Sequence, residues 1–108
     1  MISDAMEQSL FTQLNDEFYS SYLYLAMSAY CNHIDFNGAA NWLKLQYEEE
    51  QGHATRIYNY LIEQGAHVEL QAIPQPHSEF GTILDVFKSS LEHEQKMTRK
   101  LNNLSDQA

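Results

Sequence analysis

Residues 14–24 of the chain read LNDEFYSSYLY, and they lie within a longer segment, residues 4–33, that contains neither glycine nor proline. Small and apolar side chains recur in this segment at intervals of three, four and seven residues: Leu10, Leu14, Ser21, Tyr24 and Ser28. Such spacing places them on one face of an α-helix. The segment therefore predicts a long first helix over residues 4–33, with Asp4 as its N-terminal cap.

Two further helices are predicted downstream. Asn37 suits a helix N-cap, apolar side chains then repeat at helical spacing, and Gly65 follows the last of them, so a second helix is expected over residues 38–64. Pro74, Pro76 and Gly81 interrupt the connection that follows. A third helix is expected over residues 82–105, where Thr82 can cap with Asp85. Its apolar stripe comprises Ile83, Val86, Phe87, Leu91, Met97, Leu101 and Leu104.

The lengths of the two connections predict the topology. The first two helices are joined by a few residues and must be antiparallel neighbours. Residues 66–81 can span about 50 Å when extended, whereas the second helix is about 40 Å long. The connection can therefore travel the whole bundle and return the third helix parallel to the second. The expected fold is all-α, with three helices and one long crossover, a connection typical of one class of four-helix bundle.

Charge and composition exclude several classes of partner. The net charge is −9, with 15 acidic residues against 6 basic ones, which argues against nucleic acid or an anionic membrane surface. The longest apolar run, residues 22–27, is too short to cross a bilayer, and no signal-peptide pattern opens the chain. Cys31 is the single cysteine, so no internal disulfide can form. A cytoplasmic protein is expected.

Acidic residues sit within the apolar stripes of all three predicted helices. Glu17 lies three residues after Leu14, Glu50 lies three after Tyr47, and Glu94 lies three after Leu91. His53 follows Glu50 by three residues and shares its face. Counting from the turns, antiparallel packing of the first two helices and a parallel third helix place Glu17, Glu50, His53 and Glu94 at one level of the bundle.

Three carboxylates cannot gather in a dry core without compensation, because burying one unpaired charge costs several kcal/mol. Lys44 and Arg56 lie outside the apolar faces of the helices and so are not placed to neutralise these carboxylates. The negative charge must then be neutralised by protonation or by a bound cation. Carboxylates combined with an imidazole suit iron or manganese. Each residue alone has a simpler interpretation: an inward glutamate can reach water at a boundary, His53 can be a hydrogen-bonded core histidine, and Tyr24 can be simple packing.

With these features together, the chain resembles the bacterial non-haem ferritins over essentially its whole length, as a single ferritin-like domain at residues 1–108. The resemblance is carried by residues 14–24, by Glu48-Glu49-Glu50-Gln51-Gly52-His53 and by His93-Glu94-Gln95. Residues 27–31 and 38–40 add to it. Gln51 stands where the haem-binding relatives carry methionine, so no haem is expected.

The resemblance implies a ferroxidase centre, in which paired Fe²⁺ is oxidised by dioxygen or peroxide and the ferric product is stored. Glu17, Glu50 and His53 would bind the first iron, Glu50 would bridge to the second, and Glu94 would bind the second. Glu49 matches a ligand of a third, more exposed iron site, and Tyr24 matches a tyrosine beside the centre. The implied assembly is a homo-oligomeric cage of 24 subunits.

The sequence departs from the family pattern where the fourth helix would follow. That helix normally adds ligands to the second iron, so we expect it in trans, from another copy or a separate fragment, unless the sequence is part of a longer product. The alternative hypothesis is a non-catalytic helical assembly module, or a metal-binding fragment that needs a partner for its fourth helix.

Overall fold

The structure, a computed structural model, describes residues 2–107 and consists of three helices. They are α1 (Asp4–His33), α2 (Asn37–Glu63) and α3 (Ile83–Gln107), and no strand occurs among the described residues. Each helix begins and ends within two residues of the predicted bounds. The prediction of an all-α architecture is confirmed.

Helix α1 is the central element. It packs along both α2 and α3, whereas the backbones of α2 and α3 are not in contact over the described residues. Three hydrogen bonds from α1 reach α3 or the turn just before it: Tyr30 with Gly81, Ser20 with His93, and Asp16 with Lys100. Residue numbers fall along α1 as they rise along α3. Helix α3 is therefore antiparallel to α1 and parallel to α2, as the long connection predicted.

The helix termini agree with the sequence at two positions and differ at two. Thr82 and Asp85 cap α3 reciprocally, and Gly65 adopts a positive φ of 77° just beyond α2, which a residue without a Cβ adopts at low cost. Asp4 is not the cap of α1, because the Ser3 hydroxyl accepts the bond from the Met6 N–H.

The prediction that Asn37 caps α2 is also wrong. Asn37 is the first helical residue, and the capping position falls on Phe36, which offers no side-chain hydrogen bond. The tight turn before it, in which Asp35 has a φ of 67°, starts the helix one residue earlier than the sequence indicated.

The buried core consists of two apolar clusters separated by a polar layer. The larger cluster lies towards the α1–α2 turn and includes Tyr24, Met27 and Leu43. The smaller one lies towards the other end and contains Leu14, Ala54 and Leu61. Along α1 and α2, the buried residues between these clusters include Glu17, Ser20 and Glu50. The fold thus holds carboxylates at mid-height while apolar packing above and below stabilises it.

The predicted apolar stripe of α3 is only partly buried. Val86 and Met97 are buried, whereas Phe87, Leu91 and Leu101 are exposed. The exposed Trp42 of α2 meets Phe87 across the gap between α2 and α3, with ring centroids 6.0 Å apart. One apolar face of the bundle is therefore uncovered in the described chain. No helix among the described residues combines the length and the hydropathy needed to span a membrane.

Two leucines on the same helix test the packing. Leu43 is fully buried and Leu45 is 61% exposed. We expect Leu43→Ala to lower the free energy of unfolding by about 2–5 kcal/mol, because it leaves a cavity in the larger cluster. Leu45→Ala should change it by about 0.5 kcal/mol or less. Chemical denaturation at fixed protein concentration measures both, and equal losses would contradict this packing.

Candidate metal centre

Helices α1 and α2 bring together three side chains that can bind a metal. Glu17 comes from α1, and Glu50 and His53 come from adjacent turns of α2. One ligand atom from each lies within 4.8 Å of the other two. Glu17 is 2% and Glu50 is 7% exposed, while the His53 side chain is about one-third exposed. The group therefore has a buried acidic side and an imidazole at its edge.

The distances within this group suit shared coordination better than direct hydrogen bonding. His53 Nδ1 lies 3.4 Å from Glu50 Oε2 and 3.7 Å from Glu17 Oε2. Good N–H···O hydrogen bonds are shorter, at about 2.7–3.2 Å. Two ligands each about 2.1 Å from one metal ion lie about 3.0–3.4 Å apart at octahedral or tetrahedral angles. The two distances from His53 Nδ1 are thus close to the separation that a single ion would impose on its ligands.

The two oxygens of Glu17 have different environments. Oε1 accepts a hydrogen bond from Gln13 Nε2 at 2.9 Å. Oε2 is the one buried side-chain nitrogen or oxygen, among the described residues, that has no hydrogen-bond partner. Buried polar atoms are nearly always satisfied, so an unpaired carboxylate oxygen beside two other potential ligands indicates a place for a cation.

No lysine or arginine pairs with the buried carboxylates of Glu17 and Glu50 within the described chain. Lys100 pairs with Asp16 at 2.8 Å instead, and Lys44 and Arg56 are exposed, as their positions off the apolar stripes predicted. Burial, aided by the neighbouring carboxylates of Glu17 and Glu94, raises the pKa of Glu50 to about 9. Without a metal, Glu50 therefore retains its proton at neutral pH.

Glu94 lies on α3 and is not part of the three-residue group. Its Oε1 accepts a hydrogen bond from the Tyr24 hydroxyl. Burial of Tyr24, together with the bond to Glu94, raises the pKa of the phenol well above its usual range. Tyr24 is therefore a protonated donor that holds the Glu94 carboxylate. Glu94 is near enough to contribute to the raised pKa of Glu50, but the structure does not place it among the ligand atoms of Glu17, Glu50 and His53.

Glu49 is exposed and is not part of the three-residue group. It directly precedes Glu50 on α2, so it lies at the same height along the bundle but on the exposed surface of the helix. The sequence-based expectation that Glu49 belongs to a more exposed site is compatible with this placement, and the residue stays a prediction.

Three polar residues beside the group were not among the site residues predicted from the sequence: Gln13, Ser20 and His93. Ser20 Oγ lies 2.6 Å from His93 Nε2 and also donates to the Asp16 carbonyl oxygen. Burial lowers the pKa of His93, and its ring meets that of Tyr24 edge-on at 5.9 Å. A signal was available, because Gln13 and Ser20 share the three- and four-residue spacing that places Glu17 and Tyr24 on one face.

The raised pKa of Glu50 predicts a pH-dependent stability of the metal-free protein. Below pH 4.5, the ordinary value, the carboxyl is protonated in the folded and unfolded states alike. Between pH 4.5 and about 9, the unfolded chain releases this proton while the folded chain keeps it, so folding becomes less favourable as pH rises. Glu50→Gln removes this dependence.

We therefore expect Glu50→Gln to gain stability relative to the unsubstituted chain as pH rises from 5 to 8, in buffer containing a chelator. The gain should be about 1.4 kcal/mol or more, the equivalent of one pKa unit. Denaturation curves at both pH values measure it. A stability difference that stays constant, or that shrinks with rising pH, would contradict the burial of an ionisable Glu50.

Comparison with known proteins identifies the family. A family described as the ferritin-like domain matches residues 7–108. The bacterial non-heme ferritins of Staphylococcus aureus (strain USA300) and Staphylococcus haemolyticus (strain JCSC1435) are 41% and 40% identical to the chain over 106 residues. These alignments cover 98% of this chain and 64% of each relative, so the chain spans less than two thirds of their length.

Solved structures agree with this assignment. An open pore ferritin from the hyperthermophilic archaeon Archaeoglobus fulgidus superposes with a TM-score of 0.95 at 37% identity, covering 99% of this chain and 65% of that one. A structure described as a humanized archaeal ferritin gives a TM-score of 0.97, also at 37% identity, and covers 100% of this chain and 66% of its own. The chain has the all-α ferritin-like fold and belongs to the ferritin family.

Proposed function

We propose that this chain is part of an iron storage protein with ferroxidase activity, which oxidises Fe²⁺ to Fe³⁺ at a di-iron centre. The observation that carries the proposal is the buried group of Glu17, Glu50 and His53, whose two carboxylates pair with no lysine or arginine among the described residues. Membership of the ferritin family supports iron as the ion that this group receives.

The first Fe²⁺ is a substrate that binds Glu17, Glu50 and His53. Carboxylate oxygens and an imidazole nitrogen form a mixed ligand set that suits iron. Oε2 of Glu17, which has no hydrogen-bond partner, and Nδ1 of His53 already face one another. Binding displaces the proton that burial keeps on Glu50, because a carboxylate must be deprotonated to act as a ligand.

The second Fe²⁺ binds between Glu50, acting as a bridge, and Glu94. The Tyr24 hydroxyl donates a hydrogen bond to Glu94 Oε1, which leaves the second carboxylate oxygen of Glu94 available to the ion. The raised pKa of Tyr24 keeps the phenol a hydrogen-bond donor throughout the physiological range. Glu49, on the exposed side of α2, serves a third and more accessible iron site.

Two Fe²⁺ ions held a few ångströms apart by these residues would react together with one molecule of dioxygen. Each Fe²⁺ gives up one electron, and the pair of electrons with two protons reduces dioxygen to hydrogen peroxide. Peroxide can act as the oxidant in its turn, accepting two electrons and two protons to give two molecules of water. The carboxylates favour the ferric product, being hard anionic ligands.

The uncovered face of α2 and α3 is the place for a further helix that completes the second iron site. This face exposes Trp42, Phe87 and Leu91, and exposed apolar patches of this kind mark interfaces. We propose that the helix comes from another copy, from a separate fragment or from a longer form of the same polypeptide. The complete protein is proposed to be a cytoplasmic cage of 24 subunits.

A second candidate is a non-catalytic helical assembly module whose acids bind metal adventitiously. The observation that favours it is that Glu94 lies outside the three-residue group while the apolar face stays open. In this case the group holds an ion but does not assemble the pair of irons that oxidation by dioxygen requires.

Anaerobic titration with Fe²⁺, followed by oxygen and monitored in the near ultraviolet, separates the two candidates. The ferroxidase predicts stoichiometric oxidation, slowed in Glu50→Ala by at least the roughly 10- to 100-fold that loss of an outer-shell metal partner typically costs. Glu48→Ala is the matched control, since Glu48 is an exposed acid on the same helix, and it should keep the original rate. An unchanged rate in Glu50→Ala would favour the assembly module.

Zn²⁺ provides an independent check. It should occupy the ligands of the first iron and inhibit oxidation, because the affinity order of divalent metals favours Zn²⁺ over Fe²⁺. Inhibition should be competitive with Fe²⁺ and reversed by added Fe²⁺. Full oxidation in the presence of excess Zn²⁺ would show that the reaction does not use this group.

A further inference from the structure

Gln13 occupies an unusual position for a glutamine. It lies on α1 one turn before Glu17, and it is only 3% exposed. Glutamine is mostly found at protein surfaces, because burying its amide requires that the amide be hydrogen-bonded. The Gln13 amide is in contact with Glu17, whose Oε1 accepts a hydrogen bond from Nε2 at 2.9 Å. Both ends of this pair are buried, which distinguishes it from the solvated pairs common at this spacing on helix surfaces.

The bond to Gln13 fixes which way the Glu17 carboxylate faces. With Oε1 held by the amide, Oε2 is left buried without a hydrogen-bond partner, 3.7 Å from His53 Nδ1. A carboxylate free to rotate about its last torsion would present either oxygen, or would turn both towards another donor. The amide therefore selects one orientation in advance of any ligand.

The choice of a neutral donor matters as much as its position. A lysine or arginine at residue 13 would also hold the carboxylate, but it would cancel the negative charge that attracts a cation. The amide of Gln13 orients Glu17 and leaves its charge in place. Partners of this kind, which hydrogen-bond to metal-ligating carboxylates, orient the ligands and tune metal affinity.

We propose that Gln13 is a positioning residue of the metal site, holding Oε1 of Glu17 so that Oε2 is presented to the ion. The inference rests on the proposed function, since it requires that Glu17 binds metal. It adds a residue that does not itself touch the ion and whose contribution is the orientation of a ligand.

The test compares Zn²⁺ binding by the unsubstituted protein with that of Gln13→Met, which keeps nearly the same volume and removes the amide. Competition titration with a chromophoric chelator should show about a 10- to 100-fold loss of affinity, as is typical when an outer-shell partner is removed. The visible absorption of bound Co²⁺ should also change, because Glu17 is then free to coordinate in another orientation. A loss of folding alone would not alter the spectrum of the folded, Co²⁺-loaded fraction.

Ser28→Ala is the matched control. Ser28 is also buried on α1, and its hydroxyl donates to the Ala40 carbonyl oxygen at 2.7 Å, away from the acidic group. This variant should lower the unfolding midpoint while leaving Zn²⁺ affinity and the Co²⁺ spectrum unchanged. If Gln13→Met does not fold, Gln13→Leu replaces it, with the same expected losses.

The outcomes separate this inference from the proposed function. Binding of Zn²⁺ that is lost in Glu50→Ala but unchanged in Gln13→Met, with an unchanged Co²⁺ spectrum, would overturn the role of Gln13 and leave the metal site intact. Absence of Zn²⁺ binding in the unsubstituted protein would overturn both. Weakened binding and an altered spectrum in Gln13→Met, with Ser28→Ala behaving as the original protein, supports the inference.

Discussion

The structure depends on one electrostatic constraint, the burial of two carboxylates between α1 and α2 without a lysine or arginine partner. Glu17 and Glu50 are each less than a tenth exposed, and if both were ionised their mutual repulsion would oppose the packing of the helices that carry them. Apolar clusters on both sides of this layer supply the compensating stabilisation. The layer itself can be neutralised only by a proton, which burial retains on Glu50, or by a cation. Binding of a metal and loss of that proton are therefore linked.

The hydrogen bonds around this layer explain why one carboxylate oxygen remains unpaired. The neighbouring polar side chains are satisfied by one another: Lys100 takes the charge of Asp16, Tyr24 donates to Glu94, and Gln13 donates to Glu17. As a result, Oε2 of Glu17 is the one buried side-chain nitrogen or oxygen, among the described residues, that lacks a hydrogen-bond partner. The donors to Glu94 and Glu17, Tyr24 and Gln13, are neutral, so negative potential stays concentrated where Glu17, Glu50 and His53 meet.

Much of this arrangement could be predicted from the sequence, because it depends on helical periodicity and on connection lengths. The positions of glycine and proline and the periodicity of apolar residues predict the three helices. The length of the connection at residues 66–81 predicts the long crossover and the direction of α3. The burial of Glu17 and Glu50 followed from their place in apolar stripes. The caps at Ser3 and Phe36 were missed, since helix starts depend on local backbone geometry that several polar residues could satisfy.

The finer features of the site could not be predicted from the sequence for a different reason. Periodicity predicts one apolar face for α3. In the structure, Val86 packs in the cluster with residues of α1, whereas Phe87 and Leu91 lie on the uncovered face of the bundle. The orientation of α3 about its axis decides this, and periodicity fixes it only to within a residue or two. The same rotation places Glu94 on Tyr24 rather than within the group on α1 and α2. Gln13 and Ser20 are neutral, so their positions on the buried face of α1 do not by themselves indicate a site.

The most direct measurement of the central claim is anomalous diffraction from crystals of the protein loaded anaerobically with Fe²⁺. We expect an iron peak at about 2.0–2.2 Å from oxygens of Glu17 and Glu50 and from Nδ1 of His53. Glu17 should bind through the oxygen that faces away from Gln13. A map with no iron at this position, in which the two carboxylates contact water or a basic side chain instead, would contradict it.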